Sequence, residues 1–129
     1  MGYCRMQPTT TSTQKQIDGT QAEQLAGSYL EQQGLQILQR NVRCGRYEID
    51  LICQRNQRLH FVEVRHRRNA EFGGAAATIT HSKRQKCIKA AQYWLKQNHL
   101  NRAFFQIDVV AIDGELSNPR IRWLKNITL

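Results

Sequence analysis

The chain has 129 residues, 40% of them hydrophobic, which suits one globular domain with a modest core and excludes a wholly disordered chain. Its formal net charge of +9 favours a polyanionic partner, most simply nucleic acid, with charge that serves only solubility as the alternative. No apolar run is long enough to cross a membrane, and residues 1–16 lack the apolar core of a secretion signal. We therefore expect a cytoplasmic protein without a membrane partner, with a flexible tail over 1–17 and a single domain over 18–129.

The first predicted element is a helix over residues 20–33. Apolar residues recur there at helical spacing, and Thr20 with Glu23 fits a capping box. A short strand over 35–41 and a turn at 44–45 are predicted next. Four cysteines and four histidines lie in spacings that are not typical of zinc sites, so buried free thiols in a reducing compartment are the simpler interpretation.

A β-hairpin is predicted after this turn, with strands over 47–52 and 59–65. Both segments alternate in polarity and are separated by a few polar residues. If Asn56-Gln57 form a two-residue turn, pairing runs back from Arg55 opposite Arg58. This register is an expectation, because a slip of one residue would turn every side chain of one strand to the other face.

Four charged residues share one face of this hairpin in that register. Asp50 lies opposite Glu63 and Glu48 opposite Arg65, with partner Cβ atoms about 4.5–5.5 Å apart. Two carboxylates at that separation repel each other, and a divalent cation such as Mg²⁺ or Mn²⁺ between them would relieve the repulsion. The alternative is a solvated polar sheet face that carries a Glu48–Arg65 ion pair.

Basic residues follow the hairpin in two places. Residues 65–77 are predicted to be a mobile segment, in which Arg65, Arg67 and Arg68 precede two glycines, a composition that suits phosphate contacts or an ordinary solvated loop. The second helix is predicted over 81–98, with Thr80 as its cap. Its polar side carries three further residues expected to bind nucleic acid, namely Lys83, Arg84 and Lys86.

The chain ends with two predicted strands, one over 104–112 that leads into a turn at 113–114, and a last one over 121–129. The element order is therefore α-β-β-β-α-β-β. This order indicates an α/β fold with a mixed sheet flanked by helices and not a regular βαβ array.

Five stretches in this order resemble the YraN family, namely G-T-Q-A-E, Y-E-I-D-L-I, F-V-E-V-R, F-G-G-A-A-A and Q-I-D-V-V. That family comprises small bacterial proteins with a restriction-endonuclease-like fold, similar to archaeal Holliday-junction resolvases. The resemblance covers residues 18–112. Asp50 followed by Glu63-Val64-Arg65 also resembles the D…(D/E)-x-K signature of restriction-endonuclease-like nucleases. The resemblance implies a restriction-endonuclease-like core.

Site residues carry over from the resemblance position by position. Asp50 and Glu63 match the metal-binding carboxylates, and Glu23 matches the acidic residue that resolvase-like nucleases add to the site. Glu48 matches the glutamate of a G-E-I-D motif whose glycine is replaced here. Asp108 matches the aspartate of the later R-F-D-V-V-like stretch, although the R-F is not retained.

Arg65 departs from the nuclease signature, which has lysine at this position. A lysine can lose its proton and activate water, whereas arginine stays protonated. Arg65 is still suited to orient a phosphate or to stabilise charge in the transition state. The next helix offers Lys83 and Lys86 as alternative sources of the missing ammonium group.

Three functions are compatible with these features. The first is a Mg²⁺-dependent endonuclease acting on DNA, for which the resolvase likeness implies branched or structured substrates and a homodimer. The second is a non-catalytic nucleic-acid-binding protein that retains a nuclease fold. The third is a small interaction module with an ion-paired polar sheet face.

Overall fold

The computed structural model describes residues 13–127, and its elements follow the predicted order. The helices are α1 (Gln14–Gln32) and α2 (His81–Gln97), and the strands are β1 (Gln36–Cys44), β2 (Tyr47–Arg55), β3 (Arg58–Arg67), β4 (Phe104–Asp113) and β5 (Arg120–Leu124). Two short 3₁₀ turns, Glu71–Gly73 and Ala76–Thr78, lie between β3 and α2. No helix of the described segment is long and apolar enough to cross a membrane.

The five strands form one sheet in the order β1-β2-β3-β4-β5. Neighbouring strands are antiparallel except β3 and β4, which are parallel and are connected through α2. The sheet is therefore mixed, and the chain has an α/β fold with a restriction-endonuclease-like core, as predicted. Buried residues of α1, including Leu30, pack on one face of the sheet, and buried residues of α2, including Trp94 and Leu95, pack on the other.

Helix α1 begins earlier than predicted. Thr13 is its N-cap and forms a capping box with Gln16, in which the Thr13 Oγ1 accepts the Gln16 N–H at 3.1 Å. Thr20, the predicted cap, lies inside the helix and donates its hydroxyl to the Gln16 carbonyl at 3.1 Å. The pair Thr13 and Gln16 matches the capping pattern as well as the later pair Thr20 and Glu23, on which the prediction was based. Residues 14–17 of the predicted tail are therefore helical, and residues 1–12 lie outside the described residues.

The hairpin register is the predicted one. Asn56 and Gln57 both have positive φ, 51° and 64°, and they form the turn between the paired residues Arg55 and Arg58. Pairing between β2 and β3 runs back only as far as Leu51 opposite Val62. Beyond that pair β2 remains paired with β1, and β3 with β4. The two strands of the hairpin therefore separate at the position of the predicted acidic residues.

The segment after β3 has more regular structure than was predicted for residues 65–77. Strand β3 continues to Arg67, and the two 3₁₀ turns follow. The Ala75 N–H donates to the buried Asp113 Oδ1 at 2.7 Å, and Arg122 Nη2 lies 3.1 Å from Asp113 Oδ2. The segment is thus attached to β4 and β5 through one carboxylate. Thr80 caps α2, as predicted, by accepting the Lys83 N–H at 3.1 Å.

Candidate active site

A cleft of about 490 Å³ lies where β2 and β3 separate, and α2 forms its other wall. Its lining contains three predicted acidic residues and two predicted basic ones, which are Glu48, Asp50, Glu63, Lys83 and Lys86. Arg46, Tyr47 and Cys87 complete the lining. The structure therefore brings together residues that are up to 41 positions apart in the sequence.

Asp50 is held in the cleft by a backbone contact. The Val64 N–H donates to Asp50 Oδ2 at 2.8 Å, just beyond the last paired residues of the hairpin. Burial raises the pKa of Asp50 above its ordinary value, although this hydrogen bond and the positive charges of Lys83 and Arg65 oppose the rise. The carboxylate is thus fixed in position while its charge remains incompletely stabilised.

Glu63 is the more strongly perturbed carboxyl group. Its side chain is buried, and Lys83 Nζ and Arg65 Nη1 lie 3.3 Å and 3.6 Å from Glu63 Oε2. Burial and the neighbouring charge of Asp50 raise the pKa of Glu63 to about 7, even though both basic groups favour ionisation. The pair of carboxyl groups would therefore be stabilised by further positive charge.

Arg65 does not have the partner expected under the alternative of a solvated sheet face with a Glu48–Arg65 ion pair. Its Nε donates to Thr78 Oγ1 at 3.0 Å, its Nη2 donates to the Thr78 carbonyl at 3.4 Å, and it pairs with Glu63. That alternative ion pair does not form because the hairpin strands separate before Glu48 and Arg65 would face each other. Sequence reasoning missed Thr78, since nothing in the sequence indicates that the 3₁₀ turn folds back onto β3.

Glu23 lies in a neighbouring groove of about 440 Å³ between α1 and the end of β3. Burial raises its pKa, and Asp50 and Glu48 raise it further through their charges, whereas a hydrogen bond with Asn41 opposes the rise. Glu23 is thus near enough to interact electrostatically with the two carboxylates of β2. It does not line the cleft itself.

The donor chemistry of the cleft fits a hard divalent cation held by few protein ligands. Within residues 13–127 no group of three or more His, Cys, Asp or Glu side chains is arranged to hold a metal ion. Asp50 and Glu63 offer two carboxylates, and Mg²⁺ is commonly bound by one or two carboxylates with water and phosphate oxygens as its other ligands. The raised pKa values of both groups agree with a site that is completed by positive charge.

The other predicted nucleic-acid-binding residues differ in their availability. Lys86 is exposed at the cleft, and Arg84 is partly exposed on the same helix. Arg67 is exposed and donates to the His66 carbonyl at 2.7 Å. Arg68 pairs with Asp18 at 2.6 Å and Glu115 at 3.6 Å, so part of its donor capacity is already used within the protein.

Asp108 is not part of the cleft. It is fully buried, and its oxygens accept hydrogen bonds from the side chains of His60, Gln106 and Trp123 and from the Asn126 N–H, at 2.7–3.0 Å. Burial alone would raise its pKa, but these donors together lower it below the ordinary value. The geometry therefore gives Asp108 a structural role.

Comparison with known proteins places the chain in a family. A model of the family described as "Uncharacterised protein family UPF0102" matches residues 22–112, more than two thirds of the chain. The chain belongs to the UPF0102 family. UPF0102 corresponds to the YraN family, so the resemblance noted from the sequence motifs is confirmed.

Relatives from several bacteria match over most of their length. A UPF0102 protein of Legionella pneumophila is 46% identical over 86% of this chain and 93% of its own. Others from Saccharophagus degradans and Neisseria gonorrhoeae are 49% and 42% identical, over 84% and 85% of this chain and 89% and 93% of theirs. Their names state the family and no activity.

Proposed function

We propose that this UPF0102 protein is a divalent-metal-dependent endonuclease that acts on DNA in the cytoplasm, with branched or structured DNA as the favoured substrate. One observation carries the proposal. The buried carboxyl group of Glu63 and the half-buried one of Asp50 share a cleft with the ammonium group of Lys83, 3.3 Å from Glu63, on a chain of net charge +9. Membership of a family with a restriction-endonuclease-like core supports the reaction class by analogy.

Asp50 and Glu63 would hold the cation. A bound Mg²⁺ or Mn²⁺ supplies a Lewis acid that polarises the scissile phosphate and makes a water molecule more acidic. The protein's own contribution is to fix the carboxylates before substrate arrives. The Val64 N–H holds Asp50, and the position of Glu63 on the paired strand β3 limits its movement. Little reorganisation is then needed when the substrate binds.

Lys83 takes the place of the signature lysine in this proposal. It is supplied by α2 and reaches Glu63 from across the cleft, whereas the signature position on β3 holds Arg65. An ammonium beside the carboxylate pair can stabilise negative charge that develops on the phosphate in the transition state. The Thr80 cap fixes the first turn of α2, where Lys83 is located.

Arg65 has a positioning role toward the phosphate. Two hydrogen bonds to Thr78 restrict its guanidinium, and the pairing with Glu63 keeps it beside the carboxylates. A guanidinium held in this way can bind a phosphate oxygen through its remaining donors. Arg65 therefore orients substrate and leaves proton transfer to other groups.

Contacts to the DNA backbone would come chiefly from the exposed Lys86 in the cleft and the exposed Arg67 in the neighbouring groove, with contributions from Arg84 and Arg68. Such contacts position the substrate without reading its sequence. Cutting two strands at a branch point needs two cleavage sites, which a homodimer would provide.

The test is cleavage of labelled four-way junction, flap, single-stranded and duplex DNA in Mg²⁺, Mn²⁺ or EDTA. We expect metal-dependent cutting that is abolished in Asp50→Asn and Glu63→Gln, while both variants bind DNA at least as tightly as the wild type. Unchanged cleavage in both variants would rule out this mechanism. A salt titration of DNA affinity should be steep, and a flat response would argue against any nucleic-acid role.

A non-catalytic nucleic-acid binder is the second candidate. The observation in its favour is the arginine at the signature lysine position, whose guanidinium is engaged by Thr78 and Glu63. It predicts binding that is salt-dependent and indifferent to Mg²⁺, with no cutting in any metal. The simple interaction module is disfavoured, because Glu48, Asp50 and Glu63 gather in one cleft and such clustering costs folding energy unless it is neutralised.

A further inference from the structure

Phe72 is 95% exposed, the largest exposed fraction among the large apolar side chains of residues 13–127. Its backbone is left-handed, with φ 57° and ψ 37°, a conformation that costs a bulky residue about 1–2 kcal/mol. A phenylalanine in solvent gains no burial energy that would offset this cost. Packing among residues 13–127 therefore does not account for either the residue or its conformation.

The turn that carries Phe72 is held by local hydrogen bonds. Asn69 Oδ1 accepts the Glu71 N–H at 3.2 Å, Asn69 Nδ2 donates to Glu71 Oε1 at 2.7 Å, and the Gly74 N–H donates to the Glu71 carbonyl at 3.2 Å. Gly74 also has a positive φ of 69°, and a Cβ there would collide with the Asp113 carboxylate. The close approach to Asp113 thus fixes the turn against β4 and presents the ring outward.

The same segment is connected to the candidate active site at both ends. On one side it follows β3, which carries Glu63 and Arg65. On the other side Thr78 binds the Arg65 guanidinium and its hydroxyl donates to the Ala75 carbonyl at 2.6 Å. Two residues later Thr80 caps α2, which supplies Lys83 to the cleft. Phe72 therefore belongs to the same segment that positions the side chains of Arg65 and Lys83.

Protein surfaces that bind unstacked bases combine exposed aromatic rings with basic side chains. Bases that are free of a duplex stack on aromatic side chains, while bases inside a continuous duplex are already stacked and offer no free face. Arg67 and Arg68, which are both exposed, lie five and four residues before Phe72 in the chain, so groups that can bind phosphate are available on the segment that carries the ring.

We propose that Phe72 is a stacking platform for an unpaired base, and that it directs the proposed nuclease to DNA with single-stranded or branched character in preference to continuous duplex. The inference rests on the proposed function, since it concerns the same nucleic acid. It assigns to one side chain the preference for unpaired over duplex DNA. The acidic cleft cannot provide this preference, because carboxylates and a metal act on any phosphodiester.

The experiment compares Phe72→Ala and Phe72→Trp with the wild type in EDTA, so that binding is measured without cleavage. Phe104→Ala is the matched control, since Phe104 is also exposed, at 70%, but has Arg58 over its ring at 5.7 Å and lies at the start of β4. The probes are a continuous duplex and the same duplex with a short single-stranded flap that contains 2-aminopurine.

We expect Phe72→Ala to weaken flap binding about 5- to 100-fold and to leave duplex binding within about twofold, with loss of 2-aminopurine quenching. Phe72→Trp should retain both the flap preference and the quenching, and Phe104→Ala should behave as the wild type. Equal effects of Phe72→Ala on the two probes, or none, would overturn the stacking role. So would a dimeric wild type that becomes monomeric in Phe72→Ala, because the ring would then contact a second copy.

Failure of this inference is distinguishable from failure of the proposed function. Metal-dependent cutting by the wild type with an unchanged flap-to-duplex ratio in Phe72→Ala would remove the stacking role alone. Absence of cutting in every metal, together with a loss of flap preference in Phe72→Ala, would remove the nuclease and retain the platform. Circular dichroism and thermal melting would check that each variant remains folded.

Discussion

Two buried acidic residues on adjacent strands, Glu63 on β3 and Asp108 on β4, have very different surroundings. In the parallel pairing of β3 with β4, Val62 is opposite Asp108 and Glu63 is opposite Val109. Glu63 and Asp108 are therefore one position out of register and point to opposite faces of the sheet. Glu63 faces α2 and the cleft, whereas Asp108 lies on the α1 side with Val62.

The two residues differ in the number and kind of their donors. Asp108 has four hydrogen-bond donors within 3.0 Å, and its pKa is lowered in spite of complete burial. Glu63 has two charged neighbours at 3.3 Å and 3.6 Å, and its pKa is raised to about 7. A buried carboxylate whose oxygens are fully supplied with hydrogen-bond donors stabilises the fold. A buried carboxylate with fewer donors can still bind a cation or take part in proton transfer.

The largest expected effect tests the structural half of this comparison. Asp108→Asn should lower the free energy of unfolding by about 2–4 kcal/mol, because an amide presents donors to His60 and Trp123, which are themselves donors here. Asp50→Asn should leave the free energy of unfolding unchanged or raise it, since the pKa of Asp50 is raised in the folded protein. Urea denaturation at pH 8 measures both values. Equal losses in the two variants would contradict the division of roles.

The functional half of the comparison is tested at Lys83. Lys83→Ala removes the nearer of the two charged neighbours of Glu63 and should reduce metal-dependent cleavage about 100-fold. Lys89→Ala is the matched control, because Lys89 is an exposed lysine of the same helix that does not line the cleft. Single-turnover rates with saturating enzyme separate this effect from weaker DNA binding. A similar small decrease in both variants would mean that Lys83 contributes only general positive charge.

Local interactions explain which parts of this site the sequence could predict. The hairpin register follows from a two-residue turn and from alternation along two strands, and both are properties of neighbouring residues. That register placed Asp50 and Glu63 on one face correctly. Beyond the last hairpin pair, β2 pairs only with β1 and β3 only with β4. Those pairings involve distant parts of the chain, so the absence of a Glu48–Arg65 pair was not predictable from the hairpin alone.

Long-range contacts explain what was missed. Thr78 holds Arg65 across a segment with two 3₁₀ turns, and the His60–Asp108 contact joins two residues that are 48 positions apart in sequence. Nothing in the pattern around Asp108 distinguishes a satisfied structural aspartate from a metal ligand. The sequence leaves Lys83 and Lys86 as alternatives, and the structure places the Lys83 Nζ 3.3 Å from Glu63 Oε2.

A smaller effect concerns the pH dependence of stability at Glu63. Below about pH 4.5, its ordinary pKa, the carboxyl group is protonated in both the folded and the unfolded chain and contributes no difference. Between this value and about pH 7 the folded chain retains a proton that the unfolded chain has lost, so the free energy of unfolding decreases as pH rises. Glu63→Gln should therefore be more stable than the wild type by about 1–3 kcal/mol at pH 8, and the difference should vanish near pH 4.

The control for this measurement is Glu31→Gln, which removes an exposed glutamate of α1 outside the cleft. Its effect on stability should be small at every pH, because an exposed charge is screened by water and salt. Denaturation curves at several pH values, without divalent cations, give the comparison directly. A wild type that is more stable than Glu63→Gln at pH 8 would show that Lys83 and Arg65 already compensate the buried charge.

The smallest expected effect is the response of thermal stability to Mg²⁺. A cation that binds Asp50 and Glu63 stabilises the folded chain only, by about 1 kcal/mol if its concentration is roughly ten times the dissociation constant, or about 3–6 °C in Tm. The shift should be larger at pH 8 than at pH 5.5, because below pH 7 protons compete with the cation for Glu63. It should be absent in Glu63→Gln and unchanged in Glu31→Gln. An equal shift in all variants would place the cation elsewhere, and Glu63 would then resemble Asp108 in having only internal partners.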